Sequence, residues 1–531
     1  MESNLIKPID QKTSVFLVQF LGTPENKKRK GESGSNDNSS QSAMLYEKIR
    51  TALEYQEEHS IFKNAIARII NRKYTLNPTI TPKNLALDLI SELEWANYLN
   101  NETLSKEDYA GIEKIFTRYL TILKYTKSWH FNTLKVKRNI VNWLACEIDE
   151  FLNPDSKKEL LIKFAYSILK DNINLKGTRI TDEDNEIQIK LTIFSLLFKP
   201  DLASIQYWII KKTTPNWSDF SPEEAKHFGS CVDINLNKIN KVVRYRYKNN
   251  YQKVIKRNIA PFILIRELLQ NNESNGTYYQ NKPDSLHDTL MEIYDKMLLS
   301  AKEKIWRGTF RALIFIFITK ISLAFILEIP IDRFFSVEIR YLSLVVNISF
   351  PPLLMLIAGT FIRTPAIKNK RIVSESVDSL IFEGKISDKS YPLVQKTEGS
   401  LTSIFNFLYG VFSILILAGT VRLLVYLHFS IISIVLFFFF VSAVSFFSFR
   451  IRNIALELVM KPGRDDNLTF ILEFLFIPFV RIGKFISDKF ADTNPFILAL
   501  DFLIEAPLKI IMKILDSWFK FLRTKREEID I

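Results

Sequence analysis

The stretch HFSIISIVLFFFFVSAVSFFSFRIR, His428–Arg452, decides what kind of protein this is. From Phe429 to Phe449 it holds no charge, no proline and no glycine. A bilayer core about 30 Å thick needs roughly twenty apolar residues at a rise of 1.5 Å each, whereas helices of soluble cores keep a polar face. The only polar side chains here are Ser430, Ser433, Ser442, Ser445 and Ser448, small hydroxyls that suit helix–helix contact in lipid. Arg450 and Arg452 end the run. The stretch reads as a transmembrane helix over 429–449.

Three more runs share this chemistry, over about 312–327, 341–362 and 404–426. The second contains Pro351 and Pro352, which remove backbone donors and kink a helix in lipid unless neighbours satisfy the freed carbonyls. The third meets the opening stretch through a short turn at Leu427 and His428, so the two form a helical hairpin. Basic residues alternate along the flanks. They are dense before the first span (Lys302, Lys304, Arg307, Arg311), in the 363–402 connection, and after the fourth span (Arg450, Arg452, Lys461, Arg464). The first connection pairs Arg333 and Arg340 with Glu328, Asp332 and Glu338, and the hairpin turn has Arg422 alone. The positive-inside rule then puts both termini and the 363–402 loop in the cytoplasm.

The rest of the chain of 531 residues is mixed and charged, with a net charge of +13 that favours anionic partners. Its two cysteines, Cys146 and Cys231, fit a reducing compartment, and its N-terminal segment shows no cleavable signal peptide. The reading is all-α: an N-terminal segment (1–23), a disordered polar linker (24–43), a helical cytoplasmic domain (44–282), and a stalk helix (283–306). A four-span transmembrane bundle (307–450), a linker (451–466) and membrane-surface amphipathic helices (467–531) follow. Helix starts are marked by Thr81 before Pro82, by Ser105 and by Asp155. The short SVFLVQFLG reads as a strand or an apolar anchor. In the stalk, Leu286, Leu290, Ile293 and Met297 follow coiled-coil spacing for under two heptads, which suits packing on the protein's own domain.

In the tail, Asp501, Glu505, Lys509, Lys513, Asp516, Lys520 and Arg523 fall on one stripe of an otherwise apolar helix. Glu473, Arg481, Lys484 and Asp488 do the same in LTFILEFLFIPFVRIGKFISDKF. Such helices lie in the interface or dock under the bundle, and a fifth span over 468–480 is the alternative. With its EAPLKII and WFKFLRTKREEI segments, the tail and the apolar block before it resemble uncharacterised multi-pass membrane proteins of reduced-genome bacteria. The resemblance implies a bacterial plasma membrane and no assigned activity.

Motifs of soluble catalysis are missing: there is no phosphate loop, no dinucleotide fingerprint, no nucleophile elbow, no HExxH and no CxxC. The five histidines lie far apart, so no metal, cofactor or catalytic residue is assigned. Two weaker features remain. Lys238, Lys241, Arg244, Arg246, Lys248, Lys253, Lys256 and Arg257, interleaved with Tyr245, Tyr247 and Tyr251, form a basic strip without acidic residues. It reads as a solvated face or a surface for anionic headgroups, with nucleic acid ranked below because lipid is nearer to a tethered protein. The other is Lys320, past the middle of the first span, where a charge costs roughly 2.5–3.5 kcal/mol. It snorkels to the interface, or it sits in a polar path with Asn347, Asn406 and Arg422 and pairs with Glu473. The leading function is a membrane-anchored scaffold or assembly factor, binding the bilayer and a protein partner or a second copy through its cytoplasmic half. A channel or transporter is the alternative, and a membrane enzyme without a recognisable motif comes third.

Overall fold

In the computed structural model, residues 9–21, 61–96, 98–99, 104–127, 133–174, 180–214, 216–270, 283–334, 341–361, 367–386, 391–393, 399–455, 459–460, 467–492 and 518 are described. The polar linker 24–43 and, apart from Trp518, the tail 494–531 lie outside them. Two units divide the chain: one of residues 1–18, 168–179 and 253–495, the other of residues 19–167, 180–252 and 496–531. Among the described residues the architecture is helical, with one two-residue parallel bridge between β1 (Ile173–Asn174) and β2 (Tyr391–Pro392), both in the first unit.

The second unit is built from α2 (Ile61–Leu76), α3 (Pro82–Trp95), α4 (Lys106–Tyr125), α5 (Thr133–Leu152), α6 (Ser156–Leu169, to residue 167), α7 (Asp182–Phe198), α8 (Leu202–Thr213), α9 (Pro222–Ser230) and α10 (Val232–Val243). Their starts are fixed by side chains. Thr81 Oγ1 accepts from Asn84 N at 3.3 Å, and Ser105 and Asp108 form a reciprocal capping box. Asp155 Oδ1 accepts from Lys158 N at 3.1 Å. Apolar residues at helical spacing then bury Ile66, Leu89, Phe116, Tyr119, Trp143, Leu144, Phe194 and Ile210. One buried and one partly exposed ionic knot pin the layers. Glu147 binds the Arg118 guanidinium and accepts from Tyr119 Oη at 2.9 Å and Trp217 Nε1 at 2.8 Å. Lys63 Nζ sits 2.5 Å from Asp201, the cap of α8, whose carboxylate also accepts from Ser204. Beside this pair lies buried Cys146, whose thiol is pushed up to about 12 by burial, which leaves it an unreactive core residue.

Among its described residues the first unit holds four helices long and apolar enough to cross a membrane. Its polar portion comes from α11 (Lys248–Lys256, from residue 253), α12 (Ala260–Gln270) and the start of α13 (Pro283–Leu323). No break separates stalk from span: α13 runs on through a widened turn at Ala324–Glu328 into α14 (Ile329–Phe334), past the expected end at Leu327. Leu286, Leu290 and Ile293 are buried within this unit, where α13 packs on α12 and α16 (Ile367–Glu383). Polar bonds add to that seam: His287 Nε2 lies 3.0 Å from Ser374 Oγ, and Lys370 Nζ lies 2.7 Å from Asp295.

Farther along, α13 packs on α15 (Tyr341–Phe361) and α18 (Ile431–Ala455) around Ala312, Ile316, Met355, Phe440, Val444 and Ile451. The peripheral helix is α17 (Gly399–Tyr426), most of whose surface is exposed, as lipid contact requires. Although the Leu427–His428 turn joins it to α18, it packs mainly on α19 (Asn467–Asp492). That last helix docks on the middle of both partners: Phe474 meets Phe412, with ring centroids 4.9 Å apart, and Phe479 stacks on Phe438. At Gly483 the backbones of α18 and α19 touch, since an added Cβ would overlap the Ser442 carbonyl oxygen. The SVFLVQFLG segment corrects its expected strand: its residues 14–21 lie in α1 (Gln11–Leu21), with Phe16 and Leu17 buried. The anchor role fits better. Asp10 N donates to Ile381 O at 2.9 Å and Thr13 Oγ1 to Leu380 O at 2.8 Å, over Gly384 at φ +62°.

Candidate functional site inside the helical bundle

Lys320 does not snorkel. Its side chain is completely buried, with Nζ 3.6 Å from Glu328 Oε2 and 5.2 Å from the Phe440 ring centroid. Glu328 is the partner that sequence reading placed in the first connection. Eight residues along a regular α-helix leave two side chains roughly 80° apart, and one extra residue in a wide turn swings the second back over the first. Ala324–Glu328 is such a turn. Its cause follows it directly: Pro330 offers no N–H to the preceding turn and its ring crowds the carbonyl there.

Two other helices close on Glu328. Asn347 Nδ2 on α15 donates to Glu328 Oε1 at 2.7 Å, and Ser433 Oγ on α18 donates to the same oxygen. Asn347 stands one turn before Pro351, which has no N–H for the Asn347 carbonyl, so the proline pair loosens the helix beside the cluster. Lys320, Glu328, Asn347 and Ser433 are all buried. Yet Lys320 Nζ, Glu328 Oε2 and Asn347 Oδ1 have no hydrogen-bond partner among the described residues. A buried ammonium and carboxylate facing each other at 3.6 Å are neutralised as a pair while keeping hydrogen-bonding capacity in reserve.

The remaining expected members of a polar path separate. Asn406 and Arg422 are exposed on α17, away from Lys320's enclosure. Glu473 belongs to α19, and its side chain is outside the described residues; Lys320's pairing with Glu328 replaces the one expected with it.

In the basic strip, Lys238 and Lys241 are exposed on α10, Arg244 and Arg246 are exposed in the turn after it, and Lys248 is half-buried. Lys253 and Arg257 are exposed and Lys256 half-buried in the first unit. Of the interleaved tyrosines, Tyr245 meets Tyr247 edge-on, with ring centroids 6.1 Å apart, and lies 6.4 Å from Tyr251. Tyr251 is fully buried and donates to Asn185 Oδ1 at 2.8 Å, and burial raises its hydroxyl above the usual phenol range. Tyr245 and Tyr247 are half-buried. In the second unit, α8, α9 and α10 border an open pocket of about 630 Å³ lined by Ile209, Phe220, Phe228 and Ile239, with His227 and Lys238 as its basic groups. No group of three or more metal-ligating side chains occurs among the described residues. Compared with family models, curated proteins and solved structures, the chain matches none.

Proposed function

We propose that the chain is a membrane-anchored scaffold or assembly factor, its helical second unit and both termini on the cytoplasmic side. The observation that carries this reading is the uninterrupted helix from Pro283 into the first candidate span. A protein that holds partners at a bilayer needs a stiff link between water-packed and lipid-packed helices, and α13 packs on α12 and α16 first and on α15 and α18 after. Anionic headgroups suit the exposed lysines and arginines of the strip, and the resemblance of the tail suggests a bacterial plasma membrane.

Capture of the intact protein from its native membranes, followed by mass measurement of the complex, tests the reading. A protein partner or second copy at fixed stoichiometry is expected; a monomer free of any partner contradicts it. For topology, single cysteines in the 363–402 loop should resist an impermeant thiol reagent in intact cells, while one at Ser336 should react. Labelling in the reverse pattern overturns the orientation.

A channel or transporter is the second reading, favoured by the buried Lys320–Glu328 pair beside the Pro351–Pro352 break. Solute flux through liposomes holding the purified protein would move it ahead.

A further inference from the structure

The orphaned atoms around Lys320 belong to one contact. Lys320 Nζ, Glu328 Oε2 and Asn347 Oδ1 lack hydrogen-bond partners among the described residues, and their side chains are at most 2% exposed. The other side of each group is occupied. Glu328 Oε1 accepts from Asn347 Nδ2 and Ser433 Oγ, and the Lys320 ammonium lies against the Phe440 ring. Asn347 Nδ2 donates to the Glu328 carboxylate at 2.7 Å, so the free amide oxygen and the free carboxylate oxygen belong to the two groups that share this bond. Lys320 Nζ stands 3.6 Å from the free carboxylate oxygen. That distance is too long for a hydrogen bond and short enough for one small molecule to touch both ends.

The polarity of the three atoms selects the molecule. An ammonium only donates, whereas an ionised carboxylate oxygen and an amide oxygen only accept. A metal cation is repelled by Lys320, and an anion is repelled by Glu328. A neutral molecule with two donors and one acceptor satisfies all three atoms, and water is the smallest. About three hydrogen bonds to otherwise unsatisfied groups is also usual for a buried water. We propose that an ordered water molecule is bound inside the bundle, accepting from Lys320 Nζ and donating to Glu328 Oε2 and Asn347 Oδ1.

The backbone on both sides of this site departs from a regular helix. On α13 the widened turn at Ala324–Glu328 swings Glu328 back over Lys320. On α15, Pro351 leaves the Asn347 carbonyl without its usual N–H. Ordered water is one of the means by which helices in lipid tolerate such breaks. The water also decides how the ion pair is held. At 3.6 Å without it, ammonium and carboxylate lack the hydrogen bonds that offset their burial; with it, both stay charged and α13 is tied to α15 through a shared ligand. This goes beyond the scaffold reading, and partner capture and a bound water can fail separately.

The test is electron cryomicroscopy of the full-length protein in lipid nanodiscs, at a resolution that shows ordered water elsewhere in the chain. A density peak is expected at about 2.7–3.2 Å from all three atoms. It should persist when the sodium and chloride of the buffer are replaced by bulky organic ions. It should be lost in Lys320→Met, which keeps a long side chain and removes the donor. A wild-type map with no peak, or with Lys320 Nζ bonded directly to Glu328 Oε2, overturns the proposal. So does a peak that vanishes with the small ions, which marks an adventitious ion only, or one that is unchanged in Lys320→Met. The wild-type maps in the two buffers keep the test decisive if Lys320→Met fails to fold.

Discussion

Two buried ion pairs, Arg118–Glu147 in the second unit and Lys320–Glu328 in the bundle, were given the same problem and solved it differently. Arg118 has a planar fork: one nitrogen binds Glu147, the other donates to Ser218 O at 2.5 Å, and the guanidinium lies over the Trp217 ring. Glu147 is filled by Tyr119 and Trp217, and Tyr119, whose hydroxyl is raised well above its usual range by burial and by Glu147, remains a donor at any ordinary pH. Only Arg118 Nε is left over. The bundle pair is a point charge at 3.6 Å from a carboxylate with one oxygen doubly served and the other unserved. Saturation reads as structure; unspent capacity at a widened turn reads as a place where something changes.

The largest expected effect tests the saturated pair. Glu147→Ala strips Arg118, Tyr119 and Trp217 of one shared acceptor and should cost about 3–5 kcal/mol, as removal of one buried partner does. Urea unfolding monitored at tryptophan measures it, and a loss below about 1 kcal/mol would put Arg118–Glu147 with loosely held surface pairs. Next comes the tight crossing in the bundle: Gly483→Val drives side-chain atoms into the Ser442 carbonyl and toward Phe446 Cβ, already 2.7 Å from an added Cβ. Overpacking of this kind costs about 1–3 kcal/mol, visible as a lowered melting temperature in detergent. Gly384→Ala, at φ +62° and against the Asp10 carboxylate, should cost about 1–2 kcal/mol and expose α1 to protease before the rest of the chain.

The smallest effect is in pH. Burial acts to raise the Asp201 carboxyl, but Lys63 and the bonds from Ser204 outweigh it, and the group is held below its ordinary value. A depressed folded-state value stabilises above the unfolded carboxylate range and is lost as pH falls through the folded value. Wild type should therefore lose more stability than Asp201→Asn as pH drops from about 4 downward. Equal losses would mean that the Lys63 contact contributes nothing.

Local signals carried much of the architecture. The caps at Thr81, Ser105 and Asp155 were legible because each side chain bonds backbone three residues on, and the apolar runs were legible by length alone. The site was half legible. Lys320 and Asn347 stood out as polar residues inside apolar runs, but Glu328 was counted with the connection because it sits near Asp332, Arg333 and Glu338. The available signal was Pro330: a proline just past the expected end of a span licenses a wide turn and changes which residues share a face. The burial of Tyr251 was not legible, because the charges around it mask its apolar surroundings.

The most direct test of a bundle closed on Lys320 and Glu328 is a double-mutant cycle of Lys320→Leu and Glu328→Gln, read by unfolding in mixed micelles. Each single change leaves a buried polar group without its partner and should lose stability, while the double change should recover most of the loss, a coupling above about 1 kcal/mol. Strictly additive losses, or a Lys320→Leu variant as stable as wild type, would contradict the pairing.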